Sequence, residues 1–189
     1  MDNFYSSSAN ETPLSKIWSQ FNKRACPRPP LQCRCCPSSF GGFYSFWDND
    51  VAKKGTITIC WNRVTRDGSI DYAYLYEILA HEGTHALQDC HTESNLDGPT
   101  NWCVQNLKRE IEAYCCSGGC TSYSTCIRRA INSSCYGWCR ANRDFKDDKI
   151  LNQIKSWFDQ AMSKGKLCQF PRLSTGPGPT ISLADPSDP

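Results

Sequence analysis

The chain has 189 residues, with 21 basic and 19 acidic side chains and a net charge of +2. Its basic residues are scattered, which argues against a nucleic-acid partner, and no run of eighteen apolar residues is present to span a membrane. The 14 cysteines instead favour a disulfide framework formed outside a reducing cytosol, as in a secreted protein, although no secretory signal is visible.

The even number of cysteines allows up to seven bridges, because each bridge uses two. The competing interpretation is a structural zinc ion held by some of the thiolates. No pair of C-x-x-C knuckles at zinc-ribbon separation is present, so disulfides are favoured. Cys35 and Cys36 are adjacent, as are Cys115 and Cys116, and vicinal bridges are strained. We therefore expect each of these four residues to bond to a different partner.

The chain is expected to form one domain over residues 14–170, between a loose polar arm at 1–13 and a disordered tail at 171–189 rich in Pro, Gly and Ser. Apolar residues at 14, 17, 18 and 21 have the period of a short amphipathic helix that belongs to the core. The Pro- and Cys-rich stretch 26–42 is expected to be irregular and stapled by bridges.

Two aromatic and β-branched stretches, at 43–47 and 56–61, predict two strands joined by a turn. The second stretch directly precedes the predicted helix at 72–90. A strand in this position can lie at a sheet edge, where an extended peptide can pair with it. We expect residues 56–61 to be that edge, with one face packed on the core.

Residues 81–85 read HEGTH and lie inside the helix predicted at 72–90, for which Asp71 is the expected N-cap. Residues four apart lie one above the other on a helix, so His81 and His85 can bind one metal ion. The motif uses two of the three histidines of the chain. A chance match is the competing interpretation, at odds on the order of one in a hundred.

The spacing suits a hydrolytic Zn²⁺ site, which takes three protein ligands and keeps one position open for water. Zinc lowers the pKa of that water to about 7, and a carboxylate beside the first histidine can accept its proton and pass it to the leaving amine. Glu82 is therefore the expected general base. Gly83 costs stability inside a helix, so we expect another backbone to approach it closely.

The next predicted helix, at 101–117, offers two acidic residues as third metal ligand. At about 100° per residue, Glu110 falls within an apolar arc, whereas Glu112 points nearly opposite. Burying an unpaired carboxylate is very costly, and zinc would be its partner. Glu110 is therefore the predicted ligand.

Glu112 is the fallback ligand, and Asp89 and His91 are the remaining alternatives. The structural interpretation of Glu112 is a surface charge that pairs with Lys108 or Arg109, which contributes little to stability.

The rest of the chain is expected to be scaffold. Residues 115–143 hold six cysteines and are predicted to form a disulfide-rich excursion beside the cleft. Tyr114, Tyr123 and Tyr136 are candidate donors to a developing oxyanion, Tyr114 first among them, although packing on the apolar face explains Tyr114 equally well. An amphipathic helix at 144–164 is closed by Gly165.

The residues His81-Glu82-x-x-His85-Ala86, Cys90 and Glu110-Ile111-Glu112-Ala113 resemble the gluzincin group of metallopeptidases. They are similar to the signature HExxHA…C…EIRA of the mitochondrial metalloprotease family that processes an ATP-synthase subunit. The resemblance spans about residues 80–120 and supports a zinc mechanism. That family has a cysteine just before its glutamate motif, whereas Cys103 lies earlier here, so the substrate does not transfer. Cys-rich zincin modules of secreted bacterial effectors are similar in layout.

We therefore expect an α+β, minimal zincin-like domain, pinned by disulfides. The expected function is a zinc-dependent metalloprotease of the endopeptidase type that hydrolyses a peptide or protein substrate. One alternative is a disulfide-rich secreted binding or effector module whose metal site is structural or degenerate. Another is a self-processing or effector protease with a single target.

Overall fold

The computed structural model describes residues 12–24, 26–37, 40–45, 55–91, 99–132 and 148–168. Within them the chain is a mixed α+β protein. The helices are α1 (Pro13–Lys23), α2 (Trp61–Val64), α3 (Tyr72–His91), α4 (Pro99–Cys116), α5 (Tyr123–Ile131) and α6 (Asp148–Ser163). The strands are β1 (Leu31–Arg34), β2 (Gly42–Ser45), β3 (Thr56–Cys60), β4 (Thr65–Arg66) and β5 (Ser69–Ile70). The predicted tail and residues 1–11 of the predicted arm lie outside this description.

Helix α1 forms where its apolar period predicts it. Thr12 caps it by accepting the backbone N–H of Ser15 at 3.2 Å, and Pro13 occupies its first turn, where a missing N–H costs nothing. Its apolar side chains are buried: Leu14, Ile17, Trp18 and Phe21. A Cβ on Gly83 would lie 2.7 Å from the Trp18 ring. The close approach at Gly83 is therefore made by side chains of α1, and the expectation of a backbone there is wrong.

The three-stranded sheet has the order β1-β3-β2. Strand β3 pairs in parallel with β1 and antiparallel with β2, with Phe43 opposite Thr58. The strand predicted at 56–61 is therefore confirmed over Thr56–Cys60, but its predicted edge position is wrong because β1 covers its second side. Strand β1 itself forms within the stretch 26–42, which was expected to be irregular. Its backbone finds partners through tertiary pairing, which the local sequence does not reveal.

Four disulfides join described cysteines: Cys26–Cys90, Cys36–Cys60, Cys116–Cys168 and Cys120–Cys126. The described cysteines form no vicinal bridge, as the strain argument predicts. Cys35 and Cys115 are free thiols, so the expectation that each bonds to a partner of its own is wrong. The two bridges nearest the N-terminus tie the predicted stapled stretch to α3 and to β3.

Two groups of buried side chains form the interior. The first core combines α1, the three-stranded sheet and α3, and includes Phe21, Ile57 and Leu87. The second core combines α4, α5 and α6, and includes Ile111, Cys126 and Ile154. None of the described helices is both long and apolar enough to cross a membrane.

Helix α5 lies inside the stretch predicted to be a disulfide-rich excursion. Ser122 and Thr125 form a capping box at its start, and Cys126 and Ala130 are buried against the second core. Residues 115–132 are thus more regular than their cysteine and glycine content indicates, and residues 133–147 lie outside the described part. Helix α6 confirms the predicted amphipathic helix, and Gly165 follows it at φ 59°.

Candidate metal centre

The motif helix begins at the predicted cap. Asp71 accepts the backbone N–H of Tyr74 with its carboxylate at 3.0 Å, and its carbonyl accepts the N–H of Leu75. Twenty helical residues follow, so His81 and His85 lie one turn apart as the spacing requires. Both rings lie against α4, because each contacts Glu110 of that helix.

Three side chains from α3 and α4 converge there. The Nε2 atoms of His81 and His85 lie 3.1 Å apart, and each lies 3.4 Å from an oxygen of Glu110. Among the described residues these three form the group whose geometry suits a metal ion. Ligands about 2.0–2.1 Å from a tetrahedral Zn²⁺ are separated from one another by about 3.3 Å, so the observed spacing fits such an ion. Two imidazoles and a carboxylate also form a donor set typical of catalytic zinc.

Helical phase separates the two acidic candidates as predicted. Glu110 faces the histidines, whereas Glu112 accepts the side-chain amide of Gln88 at 2.9 Å and the backbone N–H of Cys168 at 3.2 Å. Glu112 is therefore not the surface partner of Lys108 or Arg109 that the sequence suggests. It is a partly buried acceptor beside the site.

The charges of the site are strongly coupled. Burial by itself lowers the pKa of His85, but the carboxylate of Glu110, assisted by Glu82, outweighs this effect and raises the pKa to about 9. Burial by itself raises the pKa of Glu110, yet His85 and His81 hold it well below its ordinary value. The site therefore stabilises the Glu110 carboxylate in its ionised form, which is the form that binds metal.

Glu82 lies on α3 beside His81 and is buried. Its Oε2 accepts the backbone N–H of Tyr44 at 2.9 Å, which fixes the carboxylate against strand β2. Strand β2 is one of the two outer strands of the sheet, and the N–H of Tyr44 points away from β3 to reach Glu82. The edge of the sheet next to the predicted base is therefore β2, one strand earlier in the chain than expected.

The predicted tyrosines take different positions. The ring centres of Tyr114 and His81 lie 4.3 Å apart. The guanidinium of Arg129 lies 5.3 Å from the centre of the Tyr114 ring. Burial, followed by the charge of Glu110, raises the pKa of Tyr114 to about 12, so its hydroxyl keeps its proton at neutral pH. Tyr123 donates its hydroxyl to the carbonyl of Leu151, away from the histidines. Tyr136 lies outside the described residues.

The remaining ligand alternatives are Asp89 and His91. Asp89 pairs with the Arg109 guanidinium, and the side chain of His91 lies outside the described part. Sequence reasoning missed Gln88, which contacts His85, and Tyr44, which holds Glu82. The position of Gln88 three residues after His85 on one helix is a signal that could have found it. The contact of Tyr44 is made by its backbone and leaves no signal in the sequence.

Comparison with known proteins gives no match to a protein-family model, a curated protein or a solved structure.

Proposed function

We propose that the chain is a zinc-dependent metallopeptidase. The observation that carries the proposal is the convergence of His81, His85 and Glu110 at ligand spacing, with the buried carboxylate of Glu82 beside them. A structural zinc site would fill its fourth position with another protein ligand and has no need of a proton acceptor. The three described ligand candidates and the adjacent Glu82 fit the catalytic pattern better.

When bound, Zn²⁺ would polarise the substrate carbonyl and lower the pKa of a water molecule. The chain supplies the rest. Glu82 accepts the proton of the attacking water and passes it to the leaving amine, and the Tyr44 N–H keeps its carboxylate in place. Tyr114, protonated and packed on His81, is the proposed donor to the developing oxyanion.

The proposed substrate is an extended peptide. Strand β2 is an outer strand of the sheet, and a peptide can add to such an edge by main-chain hydrogen bonds other than that of the Tyr44 N–H, which Glu82 accepts. The position of β2 beside Glu82 would bring the scissile bond of that peptide near the proposed base. Phe43 on the same strand is exposed and offers an apolar contact for a substrate side chain.

The gluzincin resemblance and a zincin-like fold belong to the same proposal. Support comes from the order of elements: sheet strand, HExxH helix, then a helix that carries the glutamate. The disulfides that join described cysteines are consistent with a protein that acts outside a reducing cytosol. We propose an extracytosolic peptidase on this basis.

The test has two parts, metal content and hydrolysis. Zinc is measured in purified wild type, His81→Ala and Glu110→Gln, and each protein is assayed on a peptide library. We expect the wild type to hold one zinc and cleave peptides, and both variants to lose metal and activity together. A wild type that holds no zinc would disprove the proposal.

Glu82→Gln separates an enzyme from a binding module with a structural zinc. It keeps the shape of the side chain and its contact with Tyr44 but cannot accept a proton at neutral pH. The expected result is normal zinc content with hydrolysis reduced by about 10²-fold or more. Unchanged activity of every kind in this variant would favour the binding module.

A further inference from the structure

Gln88 is a buried polar residue on α3, one turn beyond His85. Four hydrogen bonds join its amide to described residues of α3 and α4. Oε1 lies 2.9 Å from His85 Nδ1 and accepts Arg109 Nε–H at 3.3 Å. Nε2 donates to Glu112 Oε2 at 2.9 Å and to the Arg109 carbonyl at 3.2 Å. Both hydrogens and both lone pairs of the amide are thus engaged.

Arg109 and Glu112 decide which way this amide points. The Arg109 Nε–H can only donate, and the Arg109 carbonyl can only accept. The Glu112 carboxylate, when ionised, also can only accept. A flipped Gln88 would oppose donor to donor and acceptor to acceptor at all three contacts. Its orientation is therefore fixed by partners on α4, independently of any histidine.

The fixed orientation has a consequence for His85. Because Gln88 presents its oxygen to His85 Nδ1, that nitrogen must carry a hydrogen to make the 2.9 Å contact. In neutral imidazole the other nitrogen, Nε2, then holds a free lone pair. Nε2 is the atom that lies 3.1 Å from His81 Nε2 and 3.4 Å from Glu110.

We infer that Gln88 is a positioning residue that holds His85 as the Nδ1–H tautomer, with Nε2 directed at the metal site. The role of Nε2 as a ligand rests on the proposed function, whereas the tautomer follows from the hydrogen bonds alone. Partners of this kind orient ligand histidines in metalloproteins, and here a neutral amide does so instead of a carboxylate.

The contacts continue to a disulfide. Glu112 Oε1 accepts the N–H of Cys168 at 3.2 Å, and Cys168 is bridged to Cys116 on the same helix as Glu112. The bridge thereby keeps a donor next to Glu112, which in turn holds the Gln88 amide. His81 differs, because its buried Nδ1 has no hydrogen-bond partner among the described residues. A change at Gln88 should therefore act on His85 directly and reach His81 only through the 3.1 Å contact between the two Nε2 atoms.

The test compares two substitutions at Gln88. A packing role and a positioning role predict opposite answers to which of the two is the milder change. Gln88→Met keeps the size of the side chain but removes the acceptor, whereas Gln88→Glu keeps an acceptor for His85 and adds a charge. If Gln88 only fills space, Gln88→Met is the milder change. If it positions His85, Gln88→Glu is the milder change for zinc binding. Gln105→Met makes the same chemical change at an exposed position of α4 and is the matched control.

The first measurement is the tautomer. Long-range ¹H–¹⁵N NMR of histidine-labelled protein has only three imidazoles to distinguish. It is recorded on metal-free protein at alkaline pH, where the imidazoles are neutral and the two tautomers can be distinguished. We expect Nδ1–H at His85 in the wild type and in Gln88→Glu, and a mixture of tautomers in Gln88→Met.

The second measurement is zinc affinity, by competition with a chelator. We expect Gln88→Met to bind zinc about 10- to 100-fold more weakly, Gln88→Glu to lose less, and Gln105→Met to match the wild type. If Gln88→Glu fails to fold beside Glu112, the double variant Gln88→Glu/Glu112→Gln removes the like charge and is measured instead.

An Nε2–H tautomer in the wild type would overturn the inference, as would a Gln88→Met variant with unchanged tautomer and affinity. A wild type that binds no zinc but shows Nδ1–H at His85 would disprove the proposed function and leave the tautomer assignment supported. The two failures are therefore distinguishable.

Discussion

The two cores of this protein differ in how they hold their parts of the candidate site. The first core combines a sheet with α1 and α3, and its bridges Cys26–Cys90 and Cys36–Cys60 span 64 and 24 residues. The second core is helical, and its bridge Cys120–Cys126 spans only 6. The first core supplies His81, Glu82 and His85 from one helix, whereas Glu110 comes from α4, which contributes to the second core. The positions of the first two candidate ligands are thus set by the periodicity of one helix, and that of the third by the packing of two helices.

The largest expected effect compares one buried side chain from each core. Phe21→Ala in the first core should lower the free energy of unfolding by about 3–5 kcal/mol, because a fully buried aromatic ring leaves a large cavity. Ile154→Ala in the second core should cost about 2–5 kcal/mol. Urea unfolding followed by circular dichroism measures both values. Two separate transitions in the wild type would show that the cores unfold independently, contrary to a single cooperative unit.

Zinc should join the two cores energetically, because its proposed ligands come from both. At free zinc about 1,000 times the Kd, the wild type should gain about 4.1 kcal/mol of stability over the chelator-treated protein. Glu110→Gln should lose most of this gain. Glu112→Gln lies two residues further along the same helix and keeps a carbonyl that can accept from Gln88. This variant should retain at least half of the stability gained from zinc. The reverse order of these two variants would show that Glu112 is the ligand.

Gly83 tests the contact between α1 and α3 within the first core. By helix propensity alone, Gly83→Ala should stabilise the helix by about 1 kcal/mol. The new Cβ, however, would lie 2.7 Å from the buried Trp18 ring. We expect a net loss of about 1–3 kcal/mol from overpacking, measured by thermal unfolding. Ala73→Gly, at an exposed position of α3, is the control for propensity and should cost about 1 kcal/mol. A stabilised Gly83→Ala protein would contradict this contact.

The smallest expected effects concern one helix cap in each core. Asp71→Ala removes the cap of α3 and Ser122→Ala that of α5, and each should cost about 1 kcal/mol. The Asp71 effect should be the larger, because its negative charge also interacts with the helix dipole. Raising the salt concentration should reduce that difference. Equal losses at all salt concentrations would show that the charge of Asp71 contributes nothing.

Local pattern predicted much of the first core and of the site. The apolar period of α1, the cap at Asp71, the length of α3 and the strand at Thr56–Cys60 each depend on residues a few positions apart, and each is present in the structure. The convergence of His81 and His85 follows from the rise of one helical turn. The choice of Glu110 over Glu112 required only the phase of a second helix.

Long-range pairing decided the rest. Strand β1 forms because β3 offers it hydrogen bonds from 26 residues away, and this same pairing moves the free edge beside Glu82 to β2. The contacts of Gln88 with Arg109 and Glu112 exist only after α3 and α4 pack together. The sequence by itself therefore determined which residues the chain offers to a metal ion, because that depends on spacing along a helix. Only the tertiary structure decided how Glu82 and His85 are held, because those contacts join atoms distant in the chain.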